Sequence, residues 1–163
     1  MNEMKIIGRV EKISFPELSI KGVHAKIDSG ADLSSLWATG IREADGILRF
    51  KLFGPSSPHY TGKEISIPAP HYLLTRVANS FGQKELRYVV KLQIKLGGRL
   101  ILATFTLADR SRKTYPILIG RKLLKGKFLI DVSKGTPLKE LEEKKRHRMK
   151  RELEVFNMWE KKA

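Results

Sequence analysis

The sequence predicts an all-β body followed by a C-terminal α-helix, and three observations carry that expectation. Short apolar runs rich in β-branched residues, separated by Gly, Pro, Ser and Asn, recur through the first 130 residues, a strand pattern rather than a helical one. Turn-rich connections, GPSSPHY and IPAPHY, interrupt the runs where proline withholds a pairing N–H. After FLIDVSKGTP the composition switches to the helix formers of LKELEEKKRHRMKRELEVFNMWEKKA.

Taken in order, strands are expected over 4–13, 23–27, 47–53, 63–67, 72–77, 86–96, 100–108 and 116–119. KLGGRL, between two alternating runs, reads as a hairpin turn at Gly97 and Gly98. Pro137 suits the first turn of a helix behind Thr136. Leu138, Leu141, Met149, Leu153 and Phe156 then make an interrupted apolar stripe. The tail reads as a solvated helix packing its ends on the body, with a basic arm for an acidic partner as the alternative. This divides the chain into a β domain over 1–135 and a basic helical tail over 136–163, with no internal repeat or low-complexity stretch.

At 163 residues the chain is long enough for one real core and short for two. It has no cysteine, which excludes disulfides, thiolate metal sites and Cys nucleophiles. No apolar run approaches the roughly 18 residues of a membrane span, and MNEMKIIGRV lacks the pattern of a signal peptide. A cytoplasmic protein with no membrane partner is the expectation. The net charge is +15; residues 138–163 hold nine Lys/Arg against six Asp/Glu, so 23 basic and 11 acidic residues remain on 1–137, a net +12. The body itself therefore attracts polyanions.

Two segments carry chemistry. IDSGAD at 27–32 places Asp28 on a Ser-Gly turn after an apolar strand, with Gly30 permitting close backbone approach and Ser29 offering a hydroxyl to fix the turn. YPILIGRKLL at 115–124 is an apolar strand ending in Gly-Arg. A carboxylate at Asp32 and a guanidinium at Arg121 can pin the two segments together as a bidentate pair.

AKIDSGADLSSL together with YPILIGRKLL resembles the retroviral-type aspartic proteases, in which D-[ST]-G-A-D follows one apolar strand and I-G-R ends a later one. The resemblance implies a retropepsin-like (acid protease) β-barrel with Asp28 catalytic. It also implies that Ser29, Gly30 and Ala31 hold the turn, that Asp32 pairs with Arg121, and that Ile117, Ile119 and Gly120 form the core strand. In such enzymes two carboxylates share a proton, one acting as base while the other donates. The 163 residues contain no second D-[ST]-G, so the reading requires a homodimer contributing Asp28 from each chain. The two motifs lie about ninety residues apart, farther than in the retroviral enzymes. The longer middle, with IGRVEKISFPELSIKGVHAKIDSGADLSSL, TRVANSFGQKELRYVV, TLADRSRKTYPILIGRKLL and FLIDVSK in order, is similar to a bacterial and archaeal family labelled ATP-dependent zinc proteases and regarded as retropepsin-like. That family is associated with ligases that append glutamates to proteins, including ribosomal ones.

The label's zinc and ATP find no motif: there is neither H-E-x-x-H nor a P-loop, and histidines 24, 59, 71 and 147 are scattered. No metal and no cofactor are expected, and His24 and His71 read as structural or surface residues. RVANSFGQKELR is the candidate flap over an extended peptide, with Asn79, Ser80 and Gly82 in its turn and Arg76 and Arg87 flanking it, placed to take carboxylates of an acidic substrate or to brace the hairpin. Arg110, Arg112 and Lys113 read as a solvated loop. Lys26 is expected on the same face as Asp28 if the strand is regular. The leading expectation is a homodimeric aspartic peptidase acting on peptides or proteins, with acidic or glutamate-rich chains as the refinement. The alternatives are a non-catalytic barrel binding a polyanion such as RNA, or an inactive dimerisation scaffold. Nucleic acid is the less favoured partner, because Phe50, Phe53, Tyr60 and Tyr72 follow no RNA-binding motif.

Overall fold

A computed structural model describes residues 3–79 and 81–162. β1 (Lys5–Ile7) and β2 (Val10–Phe15) divide the single run expected over 4–13. The cause is steric. A Cβ on Gly8 would lie 2.2 Å from the Lys134 carbonyl, so glycine alone lets the later segment cross there. Arg9 N–H donates to Lys134 O at 3.0 Å and Thr136 N–H to Val10 O at 2.8 Å, fastening the crossing. Freed from β2, β1 pairs in parallel with β11 (Phe128–Ile130), a short strand not expected from the sequence.

A 3₁₀ turn at Pro16–Leu18 leads into β3 (Ile20–Asp28), which buries Ile20, Val23, Ala25 and Ile27 on one face. β4 (Ser34–Ala44) was also not expected. It opens on two serines and carries Gly40 at φ 61°, beside a register shift between Thr39 and Arg42, which breaks the apolar alternation. β5 (Ile47–Leu52) and β6 (Glu64–Pro68) extend the sheet antiparallel from β4. β5 ends before Phe53, whose φ of 65° turns the chain while its N–H donates to Trp37 O at 2.9 Å.

β7 (Tyr72–Ala78) and β8 (Lys84–Leu96) form a long hairpin, and β9 (Arg99–Ala108) returns from β8 through Gly97 and Gly98, both at positive φ. β10 (Ile117–Gly120) then pairs in parallel with β3 and antiparallel with β4. That double pairing closes a six-stranded barrel in the order β10, β3, β2, β8, β9, β4. The all-β barrel with its C-terminal helix is the expected fold class. Phe15, Phe50, Phe53 and Phe105 are fully buried inside, with the Phe15 ring 6.4 Å from those of Phe53 and Phe105. Burying each aromatic contributes roughly 1.5–3 kcal/mol.

α1 (Arg121–Leu124) follows β10 directly and buries Leu123 and Leu124. α2 (Lys139–Glu160) starts two residues after Pro137, because Leu138, at φ −80° and ψ 78°, is not yet helical and stands at the cap. None of its residues is buried. Its first turn is tied to the body: Tyr115 Oη donates to Glu142 Oε1 at 2.6 Å and accepts from Leu138 N–H at 2.9 Å. Arg9 grips the same carboxylate through both nitrogens, at 3.1 and 3.0 Å. The proximal end thus docks through polar contacts, while Met149, Leu153, Phe156 and Trp159 stay exposed.

Candidate active site

Asp28 is the last residue of β3, half-buried, and registers directly with Gly120 of β10. Its Oδ1 accepts the Gly30 N–H at 3.0 Å and its carbonyl accepts the Ala31 N–H at 3.2 Å, which curls the chain into a tight turn. The turn is stitched to the next element along its length. Arg121 N–H donates to Ala31 O at 2.7 Å, and Lys122 N–H to Asp32 O at 3.2 Å. Arg121 also forms an ion pair with Asp32, both side chains remaining more than half exposed. A Cβ on Gly120 would lie 2.6 Å from the Leu33 carbonyl and 2.9 Å from Ala31 O, so the approach of turn to strand demands glycine. Ile117 and Ile119 are fully buried behind it.

Ser29 is exposed and makes no side-chain hydrogen bond among the described residues. The hydroxyl that fixes this region belongs to Ser34, which sequence reasoning did not single out. Buried at the start of β4, its Oγ accepts the Gly120 N–H at 3.0 Å, and its carbonyl accepts from Thr106 Oγ1 at 3.2 Å. The available signal was a pair of serines closely following the acidic turn.

The candidate flap is the β7–β8 hairpin. Asn79 Oδ1 accepts the N–H groups of Phe81 and Gln83, both at 3.0 Å, and Gly82 adopts φ 75°. Phe81 is 90% exposed at the tip. Ser80 lies outside the described residues. Arg76 pairs across with Leu86 and Arg87 with Thr75, which puts the two arginines on opposite faces of the ribbon. Arg76 is exposed; Arg87 is largely covered and ion-paired with Glu85.

Arg110 departs from the solvated loop expected for it. Arg112 and Lys113 are exposed, but Arg110 tucks back to donate Nε–H to Tyr115 O at 3.1 Å. Burial pushes its guanidinium down to about 10, Arg87 adds to the fall, and Asp28 opposes it. These three groups therefore share one electrostatic neighbourhood, and among the described residues Arg110 has no acidic side chain in ion-pair contact. The alternation of β3 continues to Asp28, so Lys26 shares its outward face.

Beside the turn lies an open groove of about 410 Å³, lined by Ser29, Asp32, Arg121, Leu124, Phe128 and Ile130 among others. Among the described residues no group of three or more His, Cys, Asp or Glu is placed to hold a metal ion. Burial, followed by Lys12 and His59, holds the His24 imidazole below its ordinary value. No helix among the described residues is long and apolar enough to cross a membrane.

A closed six-stranded barrel with an Asp-Ser-Gly turn laid against an Ile-Gly-Arg strand end defines the retropepsin-like class. The chain belongs to the RimB-like family, retropepsin-like aspartic endopeptidases, whose family model matches residues 6–140. It is 33% identical over 136 residues to a "probable alpha-L-glutamate ligase" of Shewanella pealeana, covering 80% of this chain and 29% of that protein. A Desulfotalea psychrophila protein of the same description is 30% identical over 131 residues, covering 78% of this chain and 28% of its own. The chain thus spans under a third of the length of these relatives. The crystal structure of a Legionella pneumophila protein of unknown function superposes with a TM-score of 0.60 at 29% identity, covering 82% of this chain and 97% of that one.

Proposed function

We propose that the chain acts as a homodimeric aspartic endopeptidase in which Asp28 from each of two copies forms the catalytic dyad. The observation that carries this reading is the Asp28 carboxylate, on a turn braced at Ala31, Asp32 and Leu33 by β10 and α1. The open groove beside that turn, edged by Ile130, and the exposed pair Ile6 and Leu129 across β1 and β11 supply an apolar surface for a second copy to cover.

In the dyad the ionised carboxylate takes a proton from water as the water oxygen bonds to the scissile carbonyl carbon. The neutral carboxyl gives its proton to the carbonyl oxygen. In the collapse of the tetrahedral intermediate the carboxyl that took the water proton gives it to the nitrogen as the C–N bond breaks, the other carboxylate takes a proton from a hydroxyl of the intermediate, and the dyad again holds one proton. Placing water and peptide between fixed groups supplies much of the acceleration through orientation.

Acidic, glutamate-rich chains are the proposed substrates. The body carries a net +12, and Arg87 and Arg110 lie within electrostatic reach of each other. Arg87 is already paired with Glu85, so a substrate carboxylate would pair with Arg110, which has no acidic side chain in ion-pair contact among the described residues. Relatives named glutamate ligases suit a substrate bearing appended glutamates. The test is mass spectrometry of a peptide library containing glutamate-tailed members, incubated with wild type and Asp28→Asn from acidic to neutral pH. Cleavage by wild type alone, concentrated in acidic members, is expected. No cleavage by a folded wild type would leave the barrel a binding or scaffolding module.

A further inference from the structure

We propose that residues 144–151 of α2 form a nucleic-acid-binding arm that seats between the phosphate backbones of a duplex. The segment reads KKRHRMKR, six Lys/Arg and one histidine in eight residues, all of them exposed. It lies beyond the stretch matched by the family model, residues 6–140.

The distribution of charge selects the kind of partner. At about 100° per residue, Lys144, Lys145, Arg146, Arg148, Lys150 and Arg151 surround the helix, leaving no sector wider than about 100° without a fixed cation. A membrane-surface helix needs an apolar face along the same segment. Here the continuous apolar face, Met149, Leu153 and Phe156, begins only as the cationic block ends. A flat acidic protein surface would meet one side of the helix and leave the rest unanswered. A groove walled by two phosphate chains meets two opposite flanks of the helix at once, and a major groove about 12 Å wide admits one α-helix.

Energetics point the same way. Lys144 and Arg148, Arg146 and Lys150, and Arg148 and Arg151 are like-charged neighbours at i, i+3 or i, i+4, each opposing the helix by a few tenths of a kcal/mol. Arg148–Glu152, at 3.6 Å, is the single ion pair within α2 among the described residues. Phosphates would remove that repulsion, so binding should raise the helicity of α2. The arm is held to the body at one end, since Glu142, bonded to Arg9 and Tyr115, roots its first turn while no residue of α2 is buried.

The experiment is fluorescence anisotropy of a labelled 20-base-pair DNA duplex and a labelled bulged RNA hairpin, titrated with the full chain across about 50–200 mM salt. Wild type is compared with Lys145→Gln/Arg146→Gln/Arg148→Gln/Lys150→Gln, which keeps good helix formers. A control, Lys12→Gln/Lys21→Gln/Lys91→Gln/Lys95→Gln, removes equal charge from the barrel. The arm variant is expected to lose affinity at least tenfold for one or both probes, with a shallower salt slope and no gain of helical circular dichroism. The barrel variant should lose far less. Whichever probe is lost identifies the duplex type. Binding by neither probe, or equal losses in both variants, would overturn the proposal. So would displacement of both probes by charge-matched polyglutamate acting through the same four residues, which would make the arm an acidic-protein site.

Discussion

Gly120 sits directly beside Asp28 in the parallel register of β10 with β3, and its missing side chain is the space into which the Leu33 carbonyl fits. The carboxylate's position therefore depends on a residue that contributes no functional group. Gly120→Ala is expected to push the turn off the strand, destabilising the protein by about 1–3 kcal/mol. Urea unfolding would check the stability, and peptidase activity should fall well beyond what that loss explains.

Ser34→Ala removes the acceptor for the buried Gly120 N–H. Leaving that donor unsatisfied should cost about 1–3 kcal/mol, readable as a lower denaturation midpoint with an unchanged slope. Ser34→Thr, which keeps the hydroxyl, should recover part of it.

Asp32 and Arg121 are both more than half exposed, so their pair contributes at most about 1 kcal/mol to stability. Its expected effect is on geometry. Asp32→Asn should leave the melting temperature nearly unchanged while lowering kcat about tenfold or more, because the turn keeps its backbone bonds to Arg121 and Lys122 but loses the ion pair that fixes its orientation.

Arg110→Gln separates the substrate reading from the catalytic one. Losing a charged partner for a substrate carboxylate should raise KM for glutamate-rich peptides about tenfold, with kcat and neutral peptides little affected. Equal losses on both substrate types would make Arg110 a structural brace for the 109–115 loop.

The root of α2 should respond to pH at both ends. Arg9 holds the Glu142 carboxyl below its ordinary range, chiefly through their hydrogen bonds. Its folded value lies below its unfolded one, so its contribution is present above the unfolded value and lost as pH falls through the folded one. Burial, helped by the bond to Glu142, pushes the Tyr115 phenol up to about 12. That contribution is complete below the ordinary value near 10 and fades as pH rises toward 12. NMR shifts of Leu138 and Glu142 amides should report undocking in both windows, and Arg9→Gln should move the acid window upward.

Much of this architecture was legible because its signals are local. KLGGRL gave away its hairpin through two glycines, both of which adopt positive φ. Asp32 and Arg121 could be matched because each directly follows an apolar strand or its turn. β4 was not legible, since Ser34 and Ser35 are buried polar residues whose role appears only when β10 lies against them. The run over 4–13 looked continuous because the backbone that splits it arrives from Lys134, about 125 residues later. Arg110 looked solvated for a similar reason: its burial comes from the fold around it rather than from its charged neighbours in sequence.

The most direct test of the shared dyad is subunit mixing. Wild type and Asp28→Asn are combined at equal total concentration, allowed to exchange, and assayed on a glutamate-tailed peptide. If each active unit needs Asp28 from two copies, an equal mixture should retain about one quarter of the all-wild-type activity, following the square of the wild-type fraction. Retention of one half, linear in that fraction, would show that one chain suffices and would contradict the account.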